Sequence, residues 1–232
     1  MKSSVMITAH SGCEETPDNS IASIETAVRL GADCVEIDLR ADRDGGLFLT
    51  HDMPDSFSGL VSLETAFEAI RRGGIAVNCD LKEECALLPT LETAKFCGIG
   101  REQLIFSGSV SPCLLEQNPD ITDHCRIFLN SEVLVRDLFP DTQADRLKQT
   151  ELLLNNIQRA AERLHSLRAA AINFPYAHMS PALFTELRKR CIGISLWTLN
   201  DEDVLRKYMK MDVLNITTRK PSTALSIRRL SE

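Results

Sequence analysis

Short apolar runs alternate along the chain with longer stretches whose apolar positions recur at helical spacing. The short runs fall at 5–9 (VMITA), 33–39 (DCVEIDL), 75–80 (IAVNCD), 103–107 (QLIFS), 126–129 (RIFL), 170–174 (AAINF), 192–197 (IGISLW) and 213–217 (VLNIT). Each has the length of a buried strand. The stretches between them predict helices near 19–30, 62–72, 88–97, 111–117, 144–168, 181–190, 201–210 and 220–230. Strand and helix alternating about eight times predict an α/β chain closed as a parallel (β/α)8 TIM barrel. Helix ends carry their own signals. Asn19 or Ser20 can cap the first helix and Gly31 can close it. Ser180 can cap the helix that opens with Pro181, and Asn200 can cap the one that follows. One segment breaks the rhythm: DRDGG at 42–46 is turn chemistry, and LFLT at 47–50 reads as a return strand, so a short β-hairpin is expected after the second strand. The stretch 130–168 is the longest connection, polar and helix-forming in large part. No repeat, low-complexity tract or shift in composition divides the chain, so 1–232 is read as a single domain.

The length of 232 residues suits this reading, since such barrels take about 250 residues. Hydrophobic residues at 44% and charged residues at 25% are those of a soluble globular chain. No apolar run reaches the ~18 residues of a membrane span. The first residues lack a basic segment followed by an apolar one, so no secretory signal is expected and a cytoplasmic location is. A net charge of −7 argues against a nucleic-acid partner, but not against an anionic substrate beside a bound cation. Nothing in the sequence fixes an oligomeric state. The eight cysteines form no C-x-x-C pair, and Cys34, Cys79 and Cys191 sit in or beside apolar runs. They read as buried thiols of a reducing compartment. His124–Cys125 lacks a second ligand pair for zinc.

Polar residues collect at the C-terminal ends of the predicted strands, the end at which barrels of this kind carry their sites. His10 follows the first strand, Glu36 and Asp38 lie on the second, Asp80 and Lys82 end the third, and Trp197 ends the run at 192–197. The hairpin returns the chain to His51 and Asp52. Glu36 and Asp38 are two apart and so share a strand face. With Asp80 on the next strand, three carboxylates crowd together, which is costly unless a cation joins them. Oxygen ligands suit Mg²⁺ or Ca²⁺ better than zinc. Histidines at 10 and 51 can exchange protons at neutral pH, and Lys82 with the cation can stabilise phosphoryl oxygens. That set suits cleavage of a small-molecule phosphodiester. Plainer readings exist for single residues: a core histidine for His10, a helix cap for Asn19, core packing for Trp197, simple pairing of Asp80 with Lys82. His124, His165 and His178 read as surface residues.

The runs AHSG (9–12), PDNS (17–20), GADCVEIDLR (31–40), DGGLFLTHD (44–52), VNCDLK (77–82), WTLND (197–201) and NITTRKP (215–221) together resemble the pattern of the glycerophosphodiester phosphodiesterase family, in the family's order and over nearly the whole chain. The resemblance implies His10 and His51 as the catalytic pair, and Glu36, Asp38 and Asp80 as ligands of one divalent metal ion. Lys82, Ser11, Asn19 and Trp197 are the candidate substrate-binding positions beside them. The implied reaction is hydrolysis of a glycerophosphodiester to glycerol 3-phosphate and an alcohol. Three features depart from the pattern. Ser11 stands where the family has a phosphate-clamping arginine, and a hydroxyl cannot replace that charge; Arg40 or Arg219 could supply it instead. Asp80 stands where glutamate is usual. The stretch between His51 and Asp80 is too short for the capping insertion of some members. The last two features also resemble the sphingomyelinase D-like branch, so cleavage of a sphingomyelin or lysophospholipid headgroup is an alternative, and a catalytically inactive binding barrel is a further one.

Overall fold

The computed structural model describes residues 4–142 and 145–231. Its strands are β1 (Met6–Ala9), β2 (Cys34–Ala41), β3 (Leu47–Leu49), β4 (Ala76–Leu81), β5 (Leu104–Gly108), β6 (Arg126–Asn130), β7 (Ala171–Pro175), β8 (Ile194–Trp197) and β9 (Asn215–Thr218). All but β3 run parallel, in the order β1-β2-β4-β5-β6-β7-β8-β9, and the β1–β9 pairing closes the ring. The result is an eight-stranded parallel β-barrel surrounded by helices. Strand β3 pairs antiparallel with the end of β2, Leu39 opposite Leu49 and Ala41 opposite Leu47, which is the hairpin that the DRDGG turn predicts.

The helices are α1 (Ile21–Leu30), α2 (Leu63–Gly73), α3 (Leu87–Cys97), α4 (Pro112–Gln117), α5 (Ile121–His124), α6 (Ser131–Leu138), α7 (Arg146–Asn155), α8 (Ile157–Ser166), α9 (Pro181–Lys189), α10 (Glu202–Met209) and α11 (Pro221–Ser231). Ser20 and Ser180 cap α1 and α9 through their side chains, as read from the sequence. Asn200 does not cap α10. Asp201 does, accepting the Val204 N–H, while the Asn200 amide oxygen accepts from Arg219 N and so ties the β8 end to the β9 end. The long connection holds more order than its polarity suggests. It contains α6, directly after β6, and the helical stretch beyond it is interrupted at Asn156 between α7 and α8.

Alternation along the strands sorts residues into two environments. Outward positions such as Val35, Ile37, Val77 and Cys79 join Ile24, Ala27, Phe67 and Ile70 of the helices in the main core. Inward positions form three tiers. The lowest is apolar, with Met6, Cys34, Ala76, Ile105, Phe128 and Ala171 in a separate small cluster. The middle tier is polar and buried, with Thr8, Glu36, Asn78, Asn130, Asn173, Ser195 and Asn215. The upper tier opens at the C-terminal ends of the strands. All eight cysteines are free thiols; Cys13, Cys34, Cys79 and Cys125 are buried, but Cys85, Cys113 and, against expectation, Cys191 are exposed. Cys191 sits in the turn before β8, where an apolar neighbourhood in sequence does not bring burial. His124 and His165 are exposed, whereas His178 is half-buried because its turn lies beneath Thr150 of α7, whose hydroxyl donates to the His178 carbonyl.

Candidate active site

The upper tier encloses a cavity of about 240 Å³. His10, Glu36, Asp38, His51, Asp80, Lys82 and Trp197 line it, so seven of the nine candidates meet in one place despite their separation in sequence. Asn78, Ser107, Asn130, Glu132, Asn173 and Thr217 complete the wall. Asn78 and Thr217 lie inside the runs VNCDLK and NITTRKP without having been singled out, and the other four carry no local motif. Asn78 and Asn173 did carry a signal, as lone amides inside strand-like runs, and Asn130 directly follows the run at 126–129. Glu132 had none, because it lies on α6 in the stretch read only as a connection.

Ser11 and Asn19 stand one layer behind the cavity. Ser11 is buried, and its hydroxyl accepts the Asn19 N–H at 2.6 Å. Its own N–H donates to Glu36 Oε2 at 2.9 Å. Asn19 adopts left-handed backbone (φ 53°), which turns its amide onto Asp38. Asn19 Nδ2 donates to Asp38 Oδ2 at 2.8 Å, and its Oδ1 accepts the Asp38 N–H at 2.9 Å. Both residues therefore position carboxylates. The glycine after Ser11 has a steric reason: at Gly12, with φ 72°, a Cβ would come within 1.8 Å of Asp18 Oδ1. Asp18 in turn holds Arg219 through both oxygens, at 2.8 and 3.3 Å. Arg40 is likewise engaged, with Nε on the His51 carbonyl at 2.9 Å and Nη1 on Glu83. Neither arginine lines the cavity.

Glu36, Asp38 and Asp80 each offer an oxygen within 4.8 Å of the others. Lys82 Nζ lies 2.6 Å from Asp38 Oδ1 and 2.5 Å from Asp80 Oδ2. Ser107 donates to the second Asp80 oxygen at 2.8 Å. Gly108 makes this approach possible: with φ 79°, a Cβ there would lie 2.3 Å from the Leu81 carbonyl and 2.9 Å from Asp80 Oδ1. Burial works to raise the Asp38 carboxyl, but the Lys82 ammonium and the hydrogen bonds from Lys82 and Asn19 outweigh it and hold Asp38 below the usual carboxylate range. Burial also opposes the charge on Lys82, and the Asp80 and Asp38 charges overcome it, raising the ammonium above its ordinary value. Glu36 has no such partner. Burial, then the Asp38 and Asp80 charges, push its carboxyl well above the usual range. Three carboxylates against one ammonium leave two negative charges in excess, which one divalent cation would balance. An all-oxygen set of this kind fits a hard cation.

Both histidines line the same cavity as the triad. His10 Nδ1 lies 2.9 Å from the Ser11 carbonyl and 3.6 Å from Glu36 Oε2. A carbonyl only accepts, so Nδ1 carries the hydrogen and Nε2 the lone pair in the neutral ring. His51 Nδ1 lies 2.8 Å from Asp52 Oδ1, which assigns its tautomer in the same way. His51 is two-thirds exposed on the loop after β3. That loop is fastened by Thr50 N to the Asp38 carbonyl (3.1 Å) and by Leu49 N to the Val61 carbonyl (2.9 Å).

Residues 10–81 match the model of the glycerophosphoryl diester phosphodiesterase family. The matched span runs from His10 to the residue before Lys82. The chain is 23% identical to a glycerophosphodiester phosphodiesterase of Caldanaerobacter subterraneus subsp. tengcongensis, over 97% of this chain and 98% of the relative. It is 22% identical to a glycerophosphodiester phosphodiesterase of Arabidopsis thaliana, over 94% of this chain and 71% of the relative. Among solved structures, a glycerophosphodiester phosphodiesterase of Thermotoga maritima superposes with a TM-score of 0.70 at 22% identity, over 99% of this chain and 100% of that one. A phosphodiesterase of Oleispira antarctica in complex with sn-glycerol-3-phosphate superposes with a TM-score of 0.69 at 18% identity, over 96% of both chains. At such identities the structures testify to the fold. The family match begins at the first histidine and takes in all three carboxylates, and along nearly its whole length the chain is similar to glycerophosphodiester phosphodiesterases.

Proposed function

We propose that this chain is a cation-dependent phosphodiesterase that hydrolyses a glycerophosphodiester to glycerol 3-phosphate and an alcohol. The observation that carries the reading is the convergence of two histidines, three carboxylates and one lysine on a single cavity at the C-terminal mouth of the barrel. Glu36, Asp38 and Asp80 would hold one divalent ion, Mg²⁺ or Ca²⁺. When bound, that ion supplies positive charge to the phosphoryl oxygens. Lys82, anchored between Asp38 and Asp80, holds a second positive charge on the same wall, where charge develops on those oxygens. His10 and His51 form the proton-handling pair, and each exchanges its proton at Nε2 because Nδ1 is committed to an acceptor. One ring takes the proton of the attacking group. The other gives a proton to the departing alcohol oxygen as its bond to phosphorus breaks. Trp197 lines the pocket, and Ser11 and Asn19 brace the carboxylates from behind.

The test is a product assay by ³¹P NMR on glycerophosphocholine, glycerophosphoethanolamine, glycerophosphoglycerol and lysophospholipids, with Mg²⁺, Ca²⁺ and Mn²⁺ in turn. Release of glycerol 3-phosphate supports the proposal. A cyclic phosphate would point instead to headgroup cleavage of the sphingomyelinase D type. No turnover of any diester with any of the three metals would favour a binding barrel.

A further inference from the structure

Strands β2 and β4 run parallel with Glu36 opposite Asn78 and Asp38 opposite Asp80. Side chains two apart on a strand share a face. The four therefore occupy the corners of one patch on the inner wall: three carboxylates and, at the fourth corner, an amide. Asn78 is 5% exposed and lines the cavity. Its Oδ1 is buried and accepts no hydrogen bond among the described residues. A buried acceptor is ordinarily paired, because leaving it bare forfeits its hydration with nothing in exchange. Four donors of the cavity wall point to other acceptors. Lys82 Nζ serves Asp38 and Asp80, the Ser107 hydroxyl serves Asp80, Asn173 Nδ2 serves Asn130, and Asn130 Nδ2 serves Glu132. A lone pair beside three carboxylates suits the cation that they would hold.

We infer that Asn78 is a fourth protein oxygen ligand of that cation, and that this neutral ligand favours a calcium-sized ion over magnesium. The inference rests on the reading that the triad binds a divalent ion. Its chemical reason is ligand number. Ca²⁺ takes six to eight oxygens in adaptable geometry, whereas Mg²⁺ requires a near-ideal octahedron and keeps several waters. A carboxamide oxygen adds a ligand without adding repulsion to three crowded carboxylates.

The experiment is calorimetric titration of the chelator-stripped full chain with CaCl₂ and, separately, MgCl₂, with native circular dichroism confirmed for each variant. Wild type should show one site. Asn78→Leu should raise the Kd for Ca²⁺ by about tenfold or more, of the order that lost metal-site contacts cost, and the Kd for Mg²⁺ by less. Asn78→Asp, which keeps an oxygen at the same corner, should bind Ca²⁺ at least as tightly as wild type. An Asn78→Leu variant with wild-type affinity for Ca²⁺ overturns the inference. So does wild-type Ca²⁺ affinity in Asn78→Ala, which also removes the oxygen and decides the matter even if the leucine variant does not fold. A wild-type chain that binds neither metal removes the metal reading itself, whereas a binding wild type with an indifferent Asn78→Leu removes only the role of Asn78.

Discussion

Two arcs of the barrel interior are polar, and they resolve their polarity in opposite ways. The arc from β6 through β9 to β1 is neutral and closes on itself. Asn173 Nδ2 donates to Asn130 Oδ1 (2.8 Å), the Ser195 hydroxyl to Asn173 Oδ1 (2.8 Å), Asn215 Nδ2 to the Ser195 hydroxyl (3.0 Å), and the Thr8 hydroxyl to Asn215 Oδ1 (2.7 Å). The arc of β2 and β4 is charged and does not close: three carboxylates share one ammonium, and the Asn78 oxygen has no donor among the described residues. Both arcs are buried, so burial alone does not mark a site. What marks it is incomplete satisfaction, which a structural network avoids and a ligand-binding one retains. The two arcs meet at the ends. Asn130, the last member of the neutral chain, donates to Glu132 at the cavity wall (3.2 Å).

If the charged arc is the functional one, the largest effects belong there. Asp38→Ala should abolish cation binding in a titration of chelator-stripped protein and lower kcat by at least ~10². Unchanged metal affinity in that variant would break the comparison outright. His10→Ala or His51→Ala should also lower kcat by at least ~10², yet leave the cation affinity near wild type; a variant that turns over normally excludes its histidine from proton transfer.

Next comes Lys82→Met. Removing one partner of a largely buried ionic group leaves its carboxylates uncompensated, a loss of about 3–5 kcal/mol in such settings. Urea unfolding in the presence of chelator should show the loss, and added Ca²⁺ should restore part of it. Indifference to Lys82→Met would mean that the carboxylates are balanced some other way.

The neutral arc should respond in stability alone. Ser195→Ala leaves Asn173 Oδ1 and Asn215 Nδ2 each short of a partner, which should cost roughly 1–3 kcal/mol. Ser195 does not line the cavity, so kcat should hold while the unfolding midpoint falls. A drop in kcat at constant stability would show that the two arcs are coupled.

The smallest effect sharpens the floor beneath both arcs. Burial pushes the Cys34 and Cys125 thiols up to about 12 and raises Cys79 well above its ordinary value. Native protein at pH 8 should expose Cys85, Cys113 and Cys191 to a thiol reagent, with Cys13, Cys34, Cys79 and Cys125 labelled only on unfolding. Mass spectrometry of the labelled peptides reads the order. Early labelling of Cys34 would mean that the lowest tier opens.

The sequence alone determined the alternation of strand and helix, the hairpin after β2, the cap at Ser180, and the chemical cast of the site, and it narrowed the first cap to Asn19 or Ser20. These are local matters. Hydrophobic period, turn residues and the two-residue spacing of Glu36 and Asp38 are written in neighbouring positions, and the motif runs carry the family resemblance. Only the tertiary structure decided what lies across from what. The register of β2 against β4 set Asn78 beside Glu36. The closure of the ring joined Thr8 to Asn215, 207 positions away. The left-handed turn at Asn19 made a candidate substrate contact into a brace for Asp38, and α6 carried Glu132 to the cavity from a stretch with no motif. The reason is physical: a side chain's type is fixed by its codon, but its partner is fixed by strand register and closure, which depend on the packing of the whole chain.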